Sequence, residues 1–173
     1  MLLPILKFLF ASLLVYSVFY YFVNIYLAVE YVVHKQGAIF ITGTSTGIGN
    51  HAAISFVNEG YDVFATIRKL EEAKNLLEPL KEEEAKKRMQ VILLDVTNEK
   101  DIQKAFSEVS DFLNKTNKPL VGIVNNAGIS GTLPAEFITS EWLQKVFKVN
   151  VFGKKNRHQV LYISPSFQMQ KVL

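Results

Sequence analysis

The stretch AIFITGTSTGIG, residues 38–49, decides how the rest of this chain folds. Its first five residues are apolar or β-branched, which is typical of a strand buried on both faces of a sheet. Glycines follow at positions 43, 47 and 49, and residues 50–59 then have the apolar spacing of a helix. A strand, a glycine turn and a helix form the arrangement in which backbone N–H groups at a helix N-terminus bind a phosphate.

The glycine turn has the spacing G-x-x-x-G-x-G, which differs from both G-x-G-x-x-G and the P-loop pattern. Gly43 allows a sharp turn. Gly47 and Gly49 let backbone approach a pyrophosphate and let the helix pack close to the strand, because neither has a Cβ atom. No lysine follows the last glycine, so nucleotide hydrolysis is disfavoured. The alternative interpretation is a tight strand-to-helix turn that binds no ligand.

The composition indicates one folded domain with a proper core. The chain has 173 residues, of which 49% are hydrophobic and 12% aromatic, and its formal net charge is +3. The basic residues are scattered among acidic ones, so we expect no nucleic-acid partner. There are no cysteines, and the three histidines (His34, His51 and His158) are far apart in the sequence. We therefore expect neither a disulfide nor a metal site.

Residues 1–35 are predicted to form a membrane anchor and the juncture that follows it. Residues 8–29 carry no charge, and about 22 helical residues are enough to cross a ~30 Å hydrocarbon core. The run is longer than the ~7–15-residue apolar region of a cleaved signal peptide. The alternative is a buried core helix, but a helix that is apolar on every side is hard to bury in so small a domain.

A second strand is predicted for residues 61–67. In dinucleotide-binding folds, an acidic residue about 20 positions past the first glycines binds the ribose hydroxyls. Here the strand ends at Arg68 and Lys69, whose cationic side chains suit a 2′-phosphate. This favours NADP(H) over NAD(H). The alternative is that both side chains are simply solvated at the start of a helix.

Two further strand–helix units follow. Residues 70–88 are expected to be helical, with a break or bend at Pro79. A third strand is predicted for residues 89–94, and Thr97 is expected to cap a helix that runs through Leu113.

A fourth strand, residues 119–124, leads into a turn of small and polar residues at 125–128. Open α/β sheets bind ligands at this carboxyl edge. A last helix is predicted from Thr139 or Ser140 to Val151. Strands that alternate with helices indicate an α/β fold, a Rossmann-type doubly wound parallel sheet behind an N-terminal transmembrane helix.

Taken together, four of these stretches resemble the short-chain dehydrogenase/reductase family, in its order and at its spacing. They are TGTSTGIG at 42–49, Asp95-Val96, Asn125-Asn126-Ala127-Gly128, and Asn150 within VNVFG at 149–153. The resemblance runs from about residue 38 to residue 153. It implies an NAD(P)-binding Rossmann-like domain over residues 36–153.

The resemblance implies a role for each matching residue. The glycine turn would line the cofactor, through Gly43, Thr44, Ser45, Thr46, Gly47, Ile48 and Gly49. Asp95 and Val96 would flank the adenine. The turn of Asn126, Ala127 and Gly128 would support the adenosine side of the cofactor and hold the central strand. Asn150 would act in catalysis, by bending its helix and holding water in a proton relay.

The family moves a hydride between a nicotinamide and a carbonyl or alcohol, with a Ser that orients the substrate and a Tyr-x-x-x-Lys pair that transfers the proton. The one Tyr-x-x-x-Lys here is at residues 31–35, ahead of the glycine turn, where it cannot take the family position. After Gly153 the polar run 154–159 departs from the family pattern. We therefore expect residues 154–173 to be a divergent tail and the sheet to be incomplete on its C-terminal side.

We expect this chain to be the cofactor-binding part of a membrane-anchored oxidoreductase with little or no turnover of its own. Its anchor and residues 124–129 look most like the membrane-associated retinol and hydroxysteroid dehydrogenases. That likeness implies an apolar alcohol or ketone substrate (a retinoid, a steroid or another lipid) and the endoplasmic reticulum membrane. The alternative is a non-catalytic nucleotide-binding or interaction protein that pairs through an exposed strand edge at residues 120–124.

Overall fold

The computed structural model describes residues 2–27, 34–131 and 134–153. The chain divides into two compact units, Met1–Val33 and His34–Leu173. The tail predicted at residues 154–173 lies outside the described residues, as does the start of the juncture at residues 31–33.

The described residues of the first unit form the helix α1 (Leu2–Leu27), which has 26 residues. At 1.5 Å per residue it is about 39 Å long, which exceeds the ~30 Å thickness of a bilayer core. The span Leu3–Leu27 has a mean hydropathy of 1.8, so it is long and apolar enough to cross a membrane. The predicted apolar run is thus helical as far as it is described, and residues 28 and 29 lie outside the described part.

The second unit is built on a four-stranded parallel sheet in the order β3-β2-β1-β4. The strands are β1 (Ala38–Ile41), β2 (Asp62–Ile67), β3 (Met89–Leu93) and β4 (Leu120–Val124). The chain moves outward from β1 through β2 to β3 and then returns to place β4 on the other side of β1. This confirms the parallel sheet predicted from the alternation of strands and helices.

Helices connect the strands. They are α2 (Gly47–Asn58), a 3-10 turn (Leu70–Ala73) followed by α3 (Lys74–Leu77) and α4 (Glu83–Arg88), and α5 (Glu99–Thr116). Pro79 lies between α3 and α4, so the helical region is interrupted around this proline, as predicted. After β4 come a 3-10 turn (Ala135–Phe137), α6 (Ser140–Phe147) and a π-helical turn (Lys148–Phe152).

The helices cover both faces of the sheet, because successive side chains of each strand point to opposite faces. On one face, Phe40 and Phe64 belong to a buried cluster with apolar residues of α5. On the other face, Ile39 and Ile41 belong to a second cluster with Val57 of α2 and residues of α3 and α4. The sheet is therefore doubly wound, as predicted.

The start of α5 differs from the sequence prediction. Asn98, not Thr97, caps the helix, because its side-chain oxygen accepts a hydrogen bond from the N–H of Lys100 at 3.0 Å. Thr97 is bound to Asp95 instead: Oδ1 of that carboxylate accepts from the N–H of Thr97 at 2.8 Å and from its hydroxyl at 2.7 Å. The local Asx-type turn therefore outcompetes the cap that the pattern suggested.

The glycine turn is packed tightly between the ends of β1 and β4. Gly43 has φ +70°, and a Cβ atom there would lie 2.8 Å from Cα of Ala127. A Cβ atom at Gly49 would lie 2.5 Å from the carbonyl oxygen of Gly43 and would overlap the Asn126 amide. That amide donates to the carbonyl oxygens of Thr42 at 3.0 Å and of Gly43 at 2.8 Å. Neither glycine therefore has room for a side chain.

We expect Gly49→Ala to destabilise the second unit, because the new methyl group must displace either the Gly43 carbonyl or the Asn126 amide. Overpacking of this kind costs about 1–3 kcal/mol, which corresponds to a fall of several degrees in Tm. The measurement is urea unfolding of the full chain in detergent, followed by the fluorescence of Trp142, its single tryptophan.

Gly47→Asn is the matched control. A Cβ atom at Gly47 meets nothing within 4 Å, and its φ of +65° lies in the left-handed region that asparagine tolerates. We expect its free energy of unfolding to change by less than about 1 kcal/mol. A Gly49→Ala variant as stable as the wild type would contradict the packing described for this turn.

Candidate functional site

The carboxyl edge of the sheet opens onto a cleft of about 520 Å³. Its walls come from the glycine turn, from the segments after β2, β3 and β4, and from α6 with the π-helical turn. The cleft lies where the strand order reverses, between β1 and β4. This switch point is where open α/β sheets bind ligands.

Most of the residues predicted for a cofactor site line this cleft. They are Gly43, Ser45, Thr46, Ile48, Arg68, Asp95, Val96, Asn126, Ala127 and Gly128. The other predicted residues, Thr44, Gly47, Gly49 and Asn150, do not line it. The structure thus gathers segments that are far apart in the sequence around one cavity.

Thr44 and Thr66 fasten the glycine turn to β2. Thr44 is fully buried, and its N–H and its hydroxyl each donate to the carbonyl oxygen of Thr66 at 2.9 Å. The hydroxyl of Thr66 accepts from the N–H of Gly43 at 3.1 Å. Thr66 also lines the cleft, and sequence reasoning missed it. Its one signal is a hydroxyl near the carboxyl end of an otherwise apolar strand.

Asn75 and Asn50 hold the same turn from outside. The Asn75 amide donates to the carbonyl oxygen of Ser45, and the Asn50 amide donates to the carbonyl oxygen of Asn75, both at 3.2 Å. The first turn of α2, next to this bridge, has backbone N–H groups without intrahelical partners. Such a helix start suits an anion. Sequence reasoning missed both asparagines, because each bond joins residues 25 or 30 positions apart.

Asp95 is held in place in the wall of the cleft. Its side chain binds Thr97, and its N–H donates to Oδ2 of Asp101 at 3.0 Å. The carboxylate is half-buried and lines the cleft beside Val96. A fixed carboxylate of this kind accepts hydrogen bonds from amino groups, and the apolar side chain beside it can contact a flat ring.

Among the described residues, three cationic side chains line the cleft, namely Arg68, Lys145 and Lys148, against one acidic side chain, Asp95. The N–H groups of Arg68 and Lys69 donate to Oε2 of Glu72 at 3.2 and 3.3 Å, which fixes the backbone after β2. Lys69 itself does not line the cleft. Sequence reasoning missed Lys145 and Lys148, because helical spacing alone does not show which face of a short helix meets a cavity.

Helix α6 is anchored by its cap. Oγ1 of Thr139 accepts from the N–H of Trp142 at 3.2 Å. Hydrogen bonds from the backbone N–H of Glu141 and from the Thr139 hydroxyl lower the pKa of the exposed Glu141 carboxyl. These hydrogen bonds to the ionised carboxylate stabilise the start of the helix. Because they lower the folded-state pKa, the stabilisation is present above the unfolded-state pKa and is lost as the pH falls through the folded-state pKa.

Asn150 holds the segment after β4 in place. Its Oδ1 accepts from the N–H of Ile129 at 2.9 Å, and its amide donates to the carbonyl oxygen of Ile129 at 2.8 Å. It lies in the π-helical turn Lys148–Phe152, so the helix is widened at the position where a bend was predicted. Its part in a proton relay stays a prediction.

Solved structures with nicotinamide cofactors share this fold. The structure "ElxO with NADP Bound" has a TM-score of 0.61 at 26% identity, covering 72% of this chain and 48% of that chain. A 3-ketoacyl-(acyl-carrier-protein) reductase from Brucella melitensis complexed with NADH also has a TM-score of 0.61, at 27% identity, covering 73% and 48% of the two chains.

Curated relatives match the same part of the chain. The NADPH-dependent 1-acyldihydroxyacetone phosphate reductase of Schizosaccharomyces pombe is 36% identical over 78% of this chain and 40% of its own length. Dehydrogenase/reductase SDR family member 9 of Bos taurus is 37% identical, and retinol dehydrogenase 5 of Mus musculus 32% identical. Each of these two matches covers 66% of this chain and 34% of the relative. The chain therefore spans well under half the length of these relatives.

The family model described as short chain dehydrogenase matches residues 37–162. The match begins just before β1 and includes every segment that lines the cleft. It also continues beyond Gly153, where the resemblance traced from the motifs ends. The chain belongs to the short-chain dehydrogenase family.

Proposed function

We propose that this chain is the cofactor-binding part of a membrane-anchored NAD(P)-dependent oxidoreductase that acts on an apolar alcohol or ketone. One observation carries the proposal: the glycine turn, Asp95 and Arg68 meet in a single cleft at the point where the strand order reverses. This is the position and the chemistry that a dinucleotide requires.

The residues of the cleft fit a dinucleotide. Side chains are excluded at Gly43 and Gly49, which leaves backbone and the first turn of α2 to face a pyrophosphate. Asp95 and Val96 would hold the adenine end. When bound, the cofactor supplies or accepts the hydride, and the residues named here bind and orient it.

Arg68 favours NADP(H) as the cofactor. A guanidinium at the end of β2 can bind a phosphate through two parallel hydrogen bonds, whereas the ribose hydroxyls of NAD(H) favour a carboxylate there. The names of two relatives agree, the 1-acyldihydroxyacetone phosphate reductase and the 3-dehydrocapnine reductase of Ornithobacterium rhinotracheale, both called NADPH-dependent. NAD(H) is the alternative cofactor.

We propose little or no turnover by this chain alone, because the described residues of the second unit offer no suitable proton donor. Tyr61 is the one tyrosine among residues 34–131 and 134–153. It precedes β2 at the amino edge of the sheet, and its hydroxyl donates to the carbonyl oxygen of His34 at 2.5 Å. That edge is opposite the cleft.

The substrate class and the location follow from α1 and from the relatives. A helix long and apolar enough to cross a membrane would keep the second unit beside apolar substrates. Two of the relatives are named retinol dehydrogenase 5. We therefore propose a retinoid, a steroid or another lipid as the substrate class, and the endoplasmic reticulum as the membrane.

A second function is favoured by the edge of the sheet. Within the described sheet β4 pairs with one strand, β1, and its residues from Val121 to Val124 are only partly buried. Exposed edges of this kind pair readily with another chain. A non-catalytic nucleotide-binding or interaction protein that uses this edge is therefore the alternative.

We expect the full chain in detergent micelles to bind NADPH more tightly than NADH in isothermal titration. Arg68→Gln should weaken NADPH binding about tenfold, since a hydrogen bond to a charged group is worth about 1.5–3 kcal/mol. NADH binding should change little.

Lys69→Gln is the control for Arg68→Gln. It also removes one positive charge, but Lys69 is adjacent to Arg68 in the chain and does not line the cleft. If titration with NADPH and with NADH produced no heat of binding, the proposal of a dinucleotide site would be wrong. Appreciable NADPH oxidation with retinaldehyde or a ketosteroid would contradict the statement on turnover.

The anchor has its own test. We expect the chain to stay with microsomal membranes after alkaline carbonate extraction. Replacing Leu13 and Leu14 by arginine should release much of it, because each charge at a helix centre costs about 2.5–3.5 kcal/mol of insertion. Lys7→Arg keeps the existing charge near the helix start and serves as the control. Release of the unchanged chain by carbonate would disprove the anchor.

A further inference from the structure

Within the part of the chain that the structure describes, the cations of the cleft have no acidic partners. Among the residues that the structure describes, four lysines form ion pairs, namely Lys86, Lys87, Lys104 and Lys118. Arg68, Lys145 and Lys148 form no such ion pair within that part of the chain. The one acidic side chain of the cleft, Asp95, is hydrogen-bonded to Thr97. The cleft therefore carries an excess of positive charge.

Arg68 and the two lysines come from opposite sides of β1. Arg68 follows β2, whereas Lys145 and Lys148 lie on the helical segment after β4, and β2 and β4 flank β1 in the sheet. A ligand at the switch point would therefore lie between cations contributed from both sides. The positive potential belongs to the whole cleft and not to one residue.

The backbone beneath the two lysines is fixed. Nζ of Lys145 lies 5.6 Å from the centroid of the Trp142 ring, within the range of a cation–π interaction. The N–H of Trp142 is bound by the cap residue Thr139. Lys148 begins the π-helical turn, which Asn150 ties to Ile129. Both charges that line the cleft are thus presented by anchored backbone.

We propose that Lys145 and Lys148 are specificity-determining residues that make the cleft prefer the 2′-phosphorylated dinucleotide, NADP(H), over NAD(H). They act together with Arg68 through the potential of the cleft. A phosphate monoester carries about −1.5 to −2 charges at pH 7, so it gains more from this potential than a ribose hydroxyl does. The proposal rests on the dinucleotide site proposed above.

The test is isothermal titration of the full chain with NADPH and with NADH, for the wild type and for the double variant K145Q/K148Q. We expect the ratio of NADPH to NADH affinity to fall about three- to tenfold in low salt, and by less as added salt screens the charges. The pair K145R/K148R keeps both charges and should keep the ratio.

K104Q/K115Q is the matched control, because it removes two lysine charges from α5, outside the lining of the cleft. Its ratio should equal that of the wild type. An unchanged ratio in K145Q/K148Q, or an equal fall in the control, would overturn this inference while leaving the dinucleotide site intact. Failure of the wild type to bind either cofactor would overturn the dinucleotide site and this inference with it.

Discussion

The Asn126 amide joins the segments that follow the neighbouring strands β1 and β4, and the site depends on that connection. It donates to the carbonyl oxygens of Thr42 and Gly43, while the N–H of Ala127 donates to the hydroxyl of Thr42 at 3.0 Å. Because β2, β3 and their helices lie between β1 and β4 in the chain, this amide joins residues that are 84 positions apart in the sequence. Three hydrogen bonds at the switch point thus fix the position of the glycine turn, which in turn fixes where α2 begins.

The rest of the site is arranged around that fixed turn. Thr44 and Thr66 tie it to β2, and Asn75 ties it to the helical segment beyond β2. On the β4 side, the Asn150 side chain binds the N–H and the carbonyl oxygen of Ile129 and so holds the segment after β4. These bonds are made mostly by backbone carbonyls and small polar side chains, which leaves the charged side chains of the cleft available to a ligand. A site with rigid walls and unpaired charges can select between ligands of different charge, and it loses little conformational entropy when the ligand binds.

The features of the fold and of the site that depend on local sequence patterns could be predicted from the sequence. The apolar runs gave the four strands, the glycine spacing gave the turn, and the cation after β2 gave Arg68. Contacts between distant segments could not be predicted in this way, because the residues around Thr66, Asn75 and Lys145 do not show which distant segment or cavity each side chain meets. The Thr97 cap was wrong for a related reason. Asn is a better cap than Thr, and the Asp95 carboxylate already binds the N–H and the hydroxyl of Thr97.

The π-helical turn at Lys148–Phe152 makes this segment sensitive to its length. A π turn holds one more residue than an α-helical turn, so deleting a single residue there would restore ordinary helical winding. Positions on either side of the turn would keep their places, because the π turn absorbs the extra residue, but residues inside it would shift around the helix axis. Asn150 would then lose its two hydrogen bonds to the backbone of Ile129, which hold the loop that follows β4. The position of the loop after β4 therefore depends on the length of this segment as well as on the amide side chain of Asn150.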